Sequence, residues 1–420
     1  MTGGPEAISQ TTRLGSEIRV TCERLVHRGL GLAHLEGQVV FLFGALPGEE
    51  VSATVTETHR RHLFATVTEV AKPSPDRVTP RCPYFGECGG CQLQHASYPL
   101  QLRSKWEILI DALSRRGIPW SGPPDILESR DQWHYRWRGE FHFARDEPGL
   151  GFTRRGAYSV LGVASCPIHH PAINSVLAPL GAALRGGPGQ AKTVHLTVGQ
   201  GGEEVLVQSR PDRAPGHRLV EAHRGPLPPR LTDESTALEY RGRGFRVFPD
   251  SFIQVNQGSV DLLYETVVDW LAGDLTGARL VDAYGGSGWL SLRLAEAGAR
   301  VTVIEESPMS ARLSQLHSEM HMPGALEVLC GEVEKLLPTV PTPDIVVVDP
   351  PRSGLAPQVS GWLAMAGPKL LVYLSCEVSA LARDLEALCR IGPYHLERIR
   401  IVDMFPQTYH FETVSLLFRE

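Results

Sequence analysis

The 420 residues contain no run approaching the roughly 18 uninterrupted apolar residues that a membrane-crossing helix requires. The N-terminus, MTGGPEAISQTTRLGSE, also lacks the apolar core of an export signal. The expectation is a soluble, cytoplasmic protein with no membrane partner. Cysteine is sparse: eight residues, at 22, 82, 88, 91, 166, 330, 376 and 389, are too few and too unevenly spread for a disulfide scaffold. Their clustering points instead to metal binding or catalysis in a reducing compartment. Internal repeats and low-complexity tracts are absent too, and the length suits about two to four domains with separate cores.

An excess of positive charge is likewise missing, since the net charge is -6. Divided along the chain the balance changes: residues 1–250 hold 29 Lys+Arg and 26 Asp+Glu (29 - 26 = +3), residues 251–420 hold 12 and 21 (12 - 21 = -9). A polyanion should therefore meet the first part. Arg136, Arg138, Arg154 and Arg155 alternate there with Trp133, Tyr135, Trp137 and Phe152. That mixture of cations and stacking groups suits single-stranded RNA, and equally a half-exposed strand pair.

Three regions follow from patterning. Residues 17–71 read as five short strands, EIRVTCERL, LGLAHL, QVVFLFG, EEVSATVTETH and LFATVTEV, which suggests a small closed barrel of the OB type, an oligonucleotide binder or a structural module. Four prolines within residues 73–83 mark a boundary, giving a first domain over 11–72. A central α+β domain over 78–250 has a helix near 98–116, strands near 134–144 and 150–163, a helix near 171–185 and a hairpin turning at Gly199–Gly202. From 251 to 420 strands and helices alternate, and the buried apolar strands predict a doubly wound α/β domain with a parallel sheet between helices.

Five sites carry chemistry. In CPYFGECGGC, Cys82, Cys88 and Cys91, with Cys166 downstream, could bind zinc or an iron-sulfur cluster; the spacing is not the C-x3-C-x2-C typical of radical chemistry. The turn VDAYGGSG over 281–288 with Glu305 at the next strand end fits an adenosyl cofactor, S-adenosylmethionine or NAD. DPPRSG over 349–354 makes a rigid pocket floor after a strand, unless Asp349 is only a turn residue. Cys376 precedes a helix whose N-terminus would lower its pKa, although a buried Cys is more often a small hydrophobe. Glu412 interrupts an apolar strand either as edge solvation or as a general base; His410 and Asp403 read as structural.

Together, DAYGGSG, DPPRSG, LSCE and FPQTYHFETV, in this order, resemble the RNA uracil-5-methyltransferases. CPYFGECGGCQLQH with a later Cys, behind a TRAM-type barrel, resembles the iron-sulfur branch acting on 23S ribosomal RNA, and FIQVN over 252–256 matches a cofactor-side motif of the family. The resemblance spans residues 17–420; it departs at Gly285, where the family often has Cys. It implies a 4Fe-4S cluster on Cys82, Cys88, Cys91 and Cys166, and S-adenosylmethionine held by Gln254, Tyr284, Glu305 and Asp349. It also implies Cys376 as nucleophile, Glu412 as general base, and a monomer acting on ribosomal RNA or, as the alternative, tRNA.

The chemistry explains such a pair. Uracil C5 is a poor nucleophile until a thiolate adds at C6, and the C5 proton must then be removed before the thiolate can leave. The base must also leave its helix to reach a pocket. Two rivals remain at this point. One is a methyltransferase acting on an exocyclic amine, for which D/N-P-P-Y/F would be typical; the other is a non-catalytic iron-sulfur protein that binds RNA or senses redox state.

Overall fold

The structure is a computed structural model that describes residues 13–144, 149–183, 191–202, 204–211, 231–232, 234–249 and 251–419. The chain divides into two compact units, Met1–Ile108 with Gln407–Tyr409, and Leu109–Pro406 with His410–Glu420. The boundaries read at 72–78 and 250–251 are not those of the compact units. Among the described residues no helix is long and apolar enough to cross a membrane.

The first unit holds a six-stranded sheet, in the order Glu17–Thr21, Glu50–Thr58, His62–Lys72, Gln38–Phe43, Leu30–Leu35, Arg24–Val26. The first expected strand is thus two, broken where Cys22 and Glu23 turn to the backbone of Glu49 and Leu32. Alternation turns Ile18, Val20, Val40, Leu42, Val51, Ala53, Val55, Leu63 and Ala65 into one core around which the sheet curls. Gly31 is required by close packing, since a Cβ there would fall 2.7 Å from Cys22 Sγ. Cys22 is a core thiol; burial and then Glu49 push its pKa up to about 12.

The proline-rich stretch stays with this unit because a buried acid ties it down. Glu49, fully buried, accepts from Arg77 Nε at 2.6 Å, Arg77 Nη2 at 2.6 Å, the Ser74 amide at 3.0 Å and the Leu46 amide at 2.8 Å. Burial alone would raise its pKa, but these donors outweigh it and hold the carboxyl below its usual value.

In the second unit a six-stranded sheet runs in the order Val160–Gly162, Leu150–Thr153, Arg138–Phe143, Ala191–Val198, Val205–Pro211, Leu231–Thr232, with the helix Pro171–Ala183. The expected hairpin forms, pairing Val198 with Val205. Of the residues that suit either RNA stacking or a half-exposed strand pair, several pack inward. Tyr135 is buried and donates to the Pro406 carbonyl at 2.9 Å, Trp137 packs against the core, and Phe152 stacks on His169. Arg138 donates to the carbonyls of Pro249 and Ser251. Alternation there reports an inner and an outer face of a sheet.

An eight-stranded sheet follows, in the order Leu326–Cys330, Arg300–Glu305, Arg279–Ala283, Ile345–Val348, Leu370–Ser375, Glu412–Arg419, Tyr394–Val402, Ile126–Leu127. The first five are parallel, as patterning predicts. The sheet as a whole is mixed, because Glu412–Arg419 enters antiparallel between Leu370–Ser375 and Tyr394–Val402. Ile345–Val348 is buried at every position, the signature of a strand covered on both faces.

Glu49→Gln is expected to cost about 2–3 kcal/mol at neutral pH by weakening a buried charged hydrogen-bond network. Because the carboxyl pKa is lowered by folding, that stability is present above its unfolded value of about 4.3 and lost as pH falls through the folded value. Denaturant titrations of wild type and variant should therefore converge on acidification. An equal difference at pH 7 and pH 3.5 would contradict this account.

Candidate active site

The parallel strands deliver their carboxyl ends to one edge. Ala283 pairs with both Ile304 and Val348, and Val348 with Tyr373, so the turns after these strands begin side by side. The first turn needs left-handed backbone at Tyr284 (φ 66°), Gly286 (φ 57°) and Gly288 (φ 80°). At Gly285 a Cβ would lie 2.7 Å from Val303 Cγ1 and 3.2 Å from Asp282 Cγ, so packing accounts for glycine where the family often has Cys. Glu305 fastens this turn: its carboxylate accepts from the Gly286 amide at 2.9 Å and the Ser307 amide at 2.7 Å.

Asp282, beneath the turn, is 1% exposed. Ser291 Oγ donates to its Oδ2 at 2.5 Å, while Oδ1 has no partner. Burial drives its pKa up to about 7 against that hydrogen bond, with help from Asp349 and Glu305. Gln254 is buried in a segment held by backbone and side-chain bonds: Trp137 N–H donates to the Val255 carbonyl at 2.8 Å, and the Asn256 side-chain Nδ2 to the Met404 carbonyl at 3.2 Å.

Cys376 and Glu412 meet through strand register. Ser375 pairs with Thr413 in the antiparallel ladder, and Thr413 Oγ1 donates to the Ser375 carbonyl at 3.1 Å. Just past this ladder end, Cys376 lies within the electrostatic reach of Glu412. Burial raises the Glu412 pKa well above the ordinary carboxylate range, Asp349 adds to the rise and Arg352 opposes it. Desolvation pushes the pKa of half-buried Asp349 up to about 7. Burial first, then Glu412 and Asp349, push the Cys376 thiol up to about 12; Arg352, which donates to the sulfur, pulls the other way. The expected lowering by a helix N-terminus is therefore overturned. Glu377 caps that helix by accepting from the Ser379 amide, and the surrounding acids dominate the thiol.

Three residues absent from the sequence reading complete the site. Exposed Arg352 is the cation shared by Cys376 and Glu412. Tyr264, on the helix Val260–Leu271, lies within the field of Asp349, Asp282 and Glu412; burial and those charges raise its hydroxyl pKa. Asp384 anchors the DPPRSG loop, accepting from the Leu355 amide at 2.7 Å and the Tyr373 hydroxyl at 2.7 Å. Gly354, at φ 79°, leaves no room for a side chain against Arg383 and Asp384. None of the three carries a sequence signal of its own, whereas Asp282 lies within the VDAYGGSG turn.

Cys82, Cys88 and Cys91 lie in a turn-rich segment of the first unit, and Cys166 in the second. The Cys82 sulfur accepts from the Tyr84 and Phe85 amides, and the Cys88 sulfur from the Gly90 amide at 3.4 Å. Among the described residues no three His, Cys, Asp or Glu side chains are grouped as a metal ion would need.

A glycine turn, an acid at the second strand end and a reactive cluster along the carboxyl edge of this sheet define an S-adenosylmethionine-dependent methyltransferase fold. The fold is shared with Pyrococcus abyssi tRNA (uracil-54, C5)-methyltransferase, solved with S-adenosyl-L-homocysteine, at TM-score 0.74 and 22% identity over 95% of this chain and 100% of that one. The TRAM domain pattern matches residues 11–68, and the tRNA (Uracil-5-)-methyltransferase pattern residues 342–420. A 23S rRNA (uracil(1939)-C(5))-methyltransferase RlmD of Shewanella amazonensis is 32% identical over 97% of both chains. Another, of Dichelobacter nodosus, is 33% identical over 95% of this chain and 98% of its own. The chain belongs to the RNA uracil-C5 methyltransferase family and is an S-adenosylmethionine-dependent enzyme that methylates RNA uracil at C5.

Iodoacetamide labelling of Cys376, followed on its peptide by mass spectrometry, should accelerate with pH up to pH 10 without levelling near neutrality, because only the thiolate reacts. Arg352→Met removes the opposing cation, raises the thiol pKa further and should slow labelling about tenfold at a given pH. A plateau below pH 8, or unchanged labelling in the variant, would refute this electrostatic picture.

Proposed function

We propose that this protein methylates uridine in 23S ribosomal RNA through a covalent bond between Cys376 Sγ and C6 of the base. The observation carrying the proposal is the meeting of Cys376 and Glu412 across one ladder end, in a single electrostatic cluster with Asp349 and Arg352. Ribosomal RNA is favoured over tRNA because the full-length relatives from Shewanella amazonensis and Dichelobacter nodosus carry that substrate in their names.

S-adenosylmethionine supplies an electrophilic methyl group. The unpartnered Oδ1 of buried Asp282, in a turn where Gly286 is open, suits a ligand bearing a positive charge. Tyr284, Glu305, Asp349 and Gln254 would hold it, Glu305 partly by keeping the turn in shape. Arg352 stabilises the Cys376 thiolate as it forms. The sulfur adds at C6, and the electron pair released onto C5 takes the methyl group. Glu412 then accepts the C5 proton, the C5–C6 double bond re-forms and the sulfur leaves. A carboxyl with a pKa raised by burial is a stronger base once ionised, which suits removal of a carbon-bound proton.

Cys82, Cys88, Cys91 and Cys166 would hold a 4Fe-4S cluster. Amide hydrogen bonds onto the Cys82 and Cys88 sulfurs fit such ligation by donor chemistry. Eight unevenly spread cysteines suit a reducing compartment, and the reading is of a monomer working in the cytoplasm.

Cys376→Ala should reduce turnover about a thousandfold or more and form no adduct. Glu412→Gln should allow addition and methyl transfer but stall elimination. The readout is a protein–RNA band that survives denaturation, requires S-adenosylmethionine, appears with Glu412→Gln and is missing from Cys376→Ala. Near-normal methylation by Cys376→Ala would overturn the mechanism.

Anaerobically purified protein should be brown, with about four irons per chain. A colourless protein with one zinc would overturn the cluster assignment.

A further inference from the structure

Residues 403–411 join Tyr394–Val402 to Glu412–Arg419, and the pairing of Val402 with Glu412 is the last step of the ladder between those strands. Ladders fray at their ends, so the place of Glu412 depends on what holds the connection. Its first half is bound within the second unit. The Asp403 amide donates to the Leu127 carbonyl at 2.9 Å, and the Met404 and Pro406 carbonyls accept from the Asn256 side chain and the Tyr135 hydroxyl. The tip, Gln407–Tyr409, belongs to the first unit instead.

There Gln407, 3% exposed, meets Gln101, 1% exposed, on the helix Tyr98–Arg115. Gln101 Oε1 accepts from the Gln407 amide at 2.8 Å. Its Nε2 donates to Gln407 Oε1 at 3.1 Å and to the carbonyls of Ala96 at 3.0 Å and Leu93 at 3.2 Å. The Gln407 carbonyl accepts in turn from the amides of Gln92 at 3.1 Å and Leu93 at 3.0 Å. Two features go beyond the ordinary pairing of buried amides. Gln407 has φ 70°, a left-handed backbone that a residue with a side chain keeps only where its surroundings impose it. The two glutamines are also 306 residues apart, so no local turn calls for their contact.

With the tip fixed, the short run from His410 to Glu412 is held at one end by Gln407–Tyr409 and at the other by the ladder. A carboxylate that takes a proton from carbon must approach it closely and in line, so a small loss of position is costly at that step. Methyl transfer to C5 needs no proton acceptor and is spared.

We infer that Gln101 is a positioning residue for Glu412: by holding Gln407 it fixes the connection that carries the base, and so governs removal of the C5 proton rather than addition of the thiolate or transfer of the methyl group. The inference rests on the proposed covalent mechanism with Glu412 as base.

The test uses the full-length protein, S-adenosylmethionine and a 23S ribosomal RNA transcript carrying tritium at uridine C5. Methyl transfer and tritium release are read from the same single-turnover reaction, for wild type, Gln101→Met, Gln407→Ala and Glu412→Gln, with thermal melts to verify folding. In Gln101→Met methyl transfer should stay within about threefold of wild type while tritium release slows about tenfold or more. The protein–RNA band that survives denaturation should accumulate beyond the wild-type level. Gln407→Ala removes one bond of the network and leaves both backbone groups able to pair, so it should show the same imbalance to a smaller extent. It serves as the test if Gln101→Met does not fold. Equal losses of methyl transfer and tritium release in folded variants, or no loss of either, would overturn the inference. A band with Glu412→Gln and none with folded Gln101→Met would overturn the role of Gln101 alone. No band with Glu412→Gln, while wild type methylates, would overturn the covalent mechanism and this role with it.

Discussion

The pairing of Ser375 with Thr413 is the constraint on which the site depends. A side chain at the end of one strand meets its counterpart on the next only if the ladder between them keeps register, and a slip of one residue would turn either group to the other face. Here the ladder runs from Leu370–Phe418 to Ser375–Thr413 through fully buried neighbours. The thiol and the carboxyl are thus placed by the same apolar packing that holds the domain together. Cys376 directly follows the end of Leu370–Ser375, and Glu412 begins Glu412–Arg419.

The remaining members arrive on a loop, and that loop is restrained from behind. Asp384 takes the Leu355 amide and the Tyr373 hydroxyl, so the floor carrying Asp349 and Arg352 is bound both to the strand leading to Cys376 and to the helix after it. Three acids and a thiol share a poorly hydrated space, with the exposed cation of Arg352 near the sulfur. Such a group disfavours accumulating negative charge, so the resting thiol stays protonated. A cationic ligand entering among the acids would ease thiolate formation.

Much of this was legible in the sequence, and the exceptions have physical causes. Cys376 and Asp349 are recognisable because each follows a buried β-run at the point where a parallel strand meets its turn, and Glu412 because it interrupts an apolar strand. Arg352 shows no such mark; behind two prolines it reads as surface charge, and only the fold turns it toward a sulfur. Tyr264 sits on an amphipathic helix, where an aromatic reads as core. Asp384 looks like one side of a helical ion pair until the loop folds under it. The antiparallel entry of Glu412–Arg419 was hidden because a strand buried on both faces has the same composition whichever way it runs. Tyr135 and Trp137 left two readings open for the opposite reason, since alternation reveals two faces without saying which is wet.

The place of Glu412–Arg419 between Leu370–Ser375 and Tyr394–Val402 also orders events during synthesis. The strand bearing the nucleophile emerges from the ribosome some forty residues before its partner, as the residue numbers show. It must wait as an apolar, unpaired edge. Tyr394–Val402, the outer wall, also appears before the strand that fills the gap, and its far side is closed by Ile126–Leu127 from much earlier in the chain. A nascent chain halted before residue 412 has the sulfur without the acid and an open slot in its sheet. The enzyme therefore acquires its base and closes its sheet in the same late step, and until then an unpaired apolar edge stands beside the sulfur.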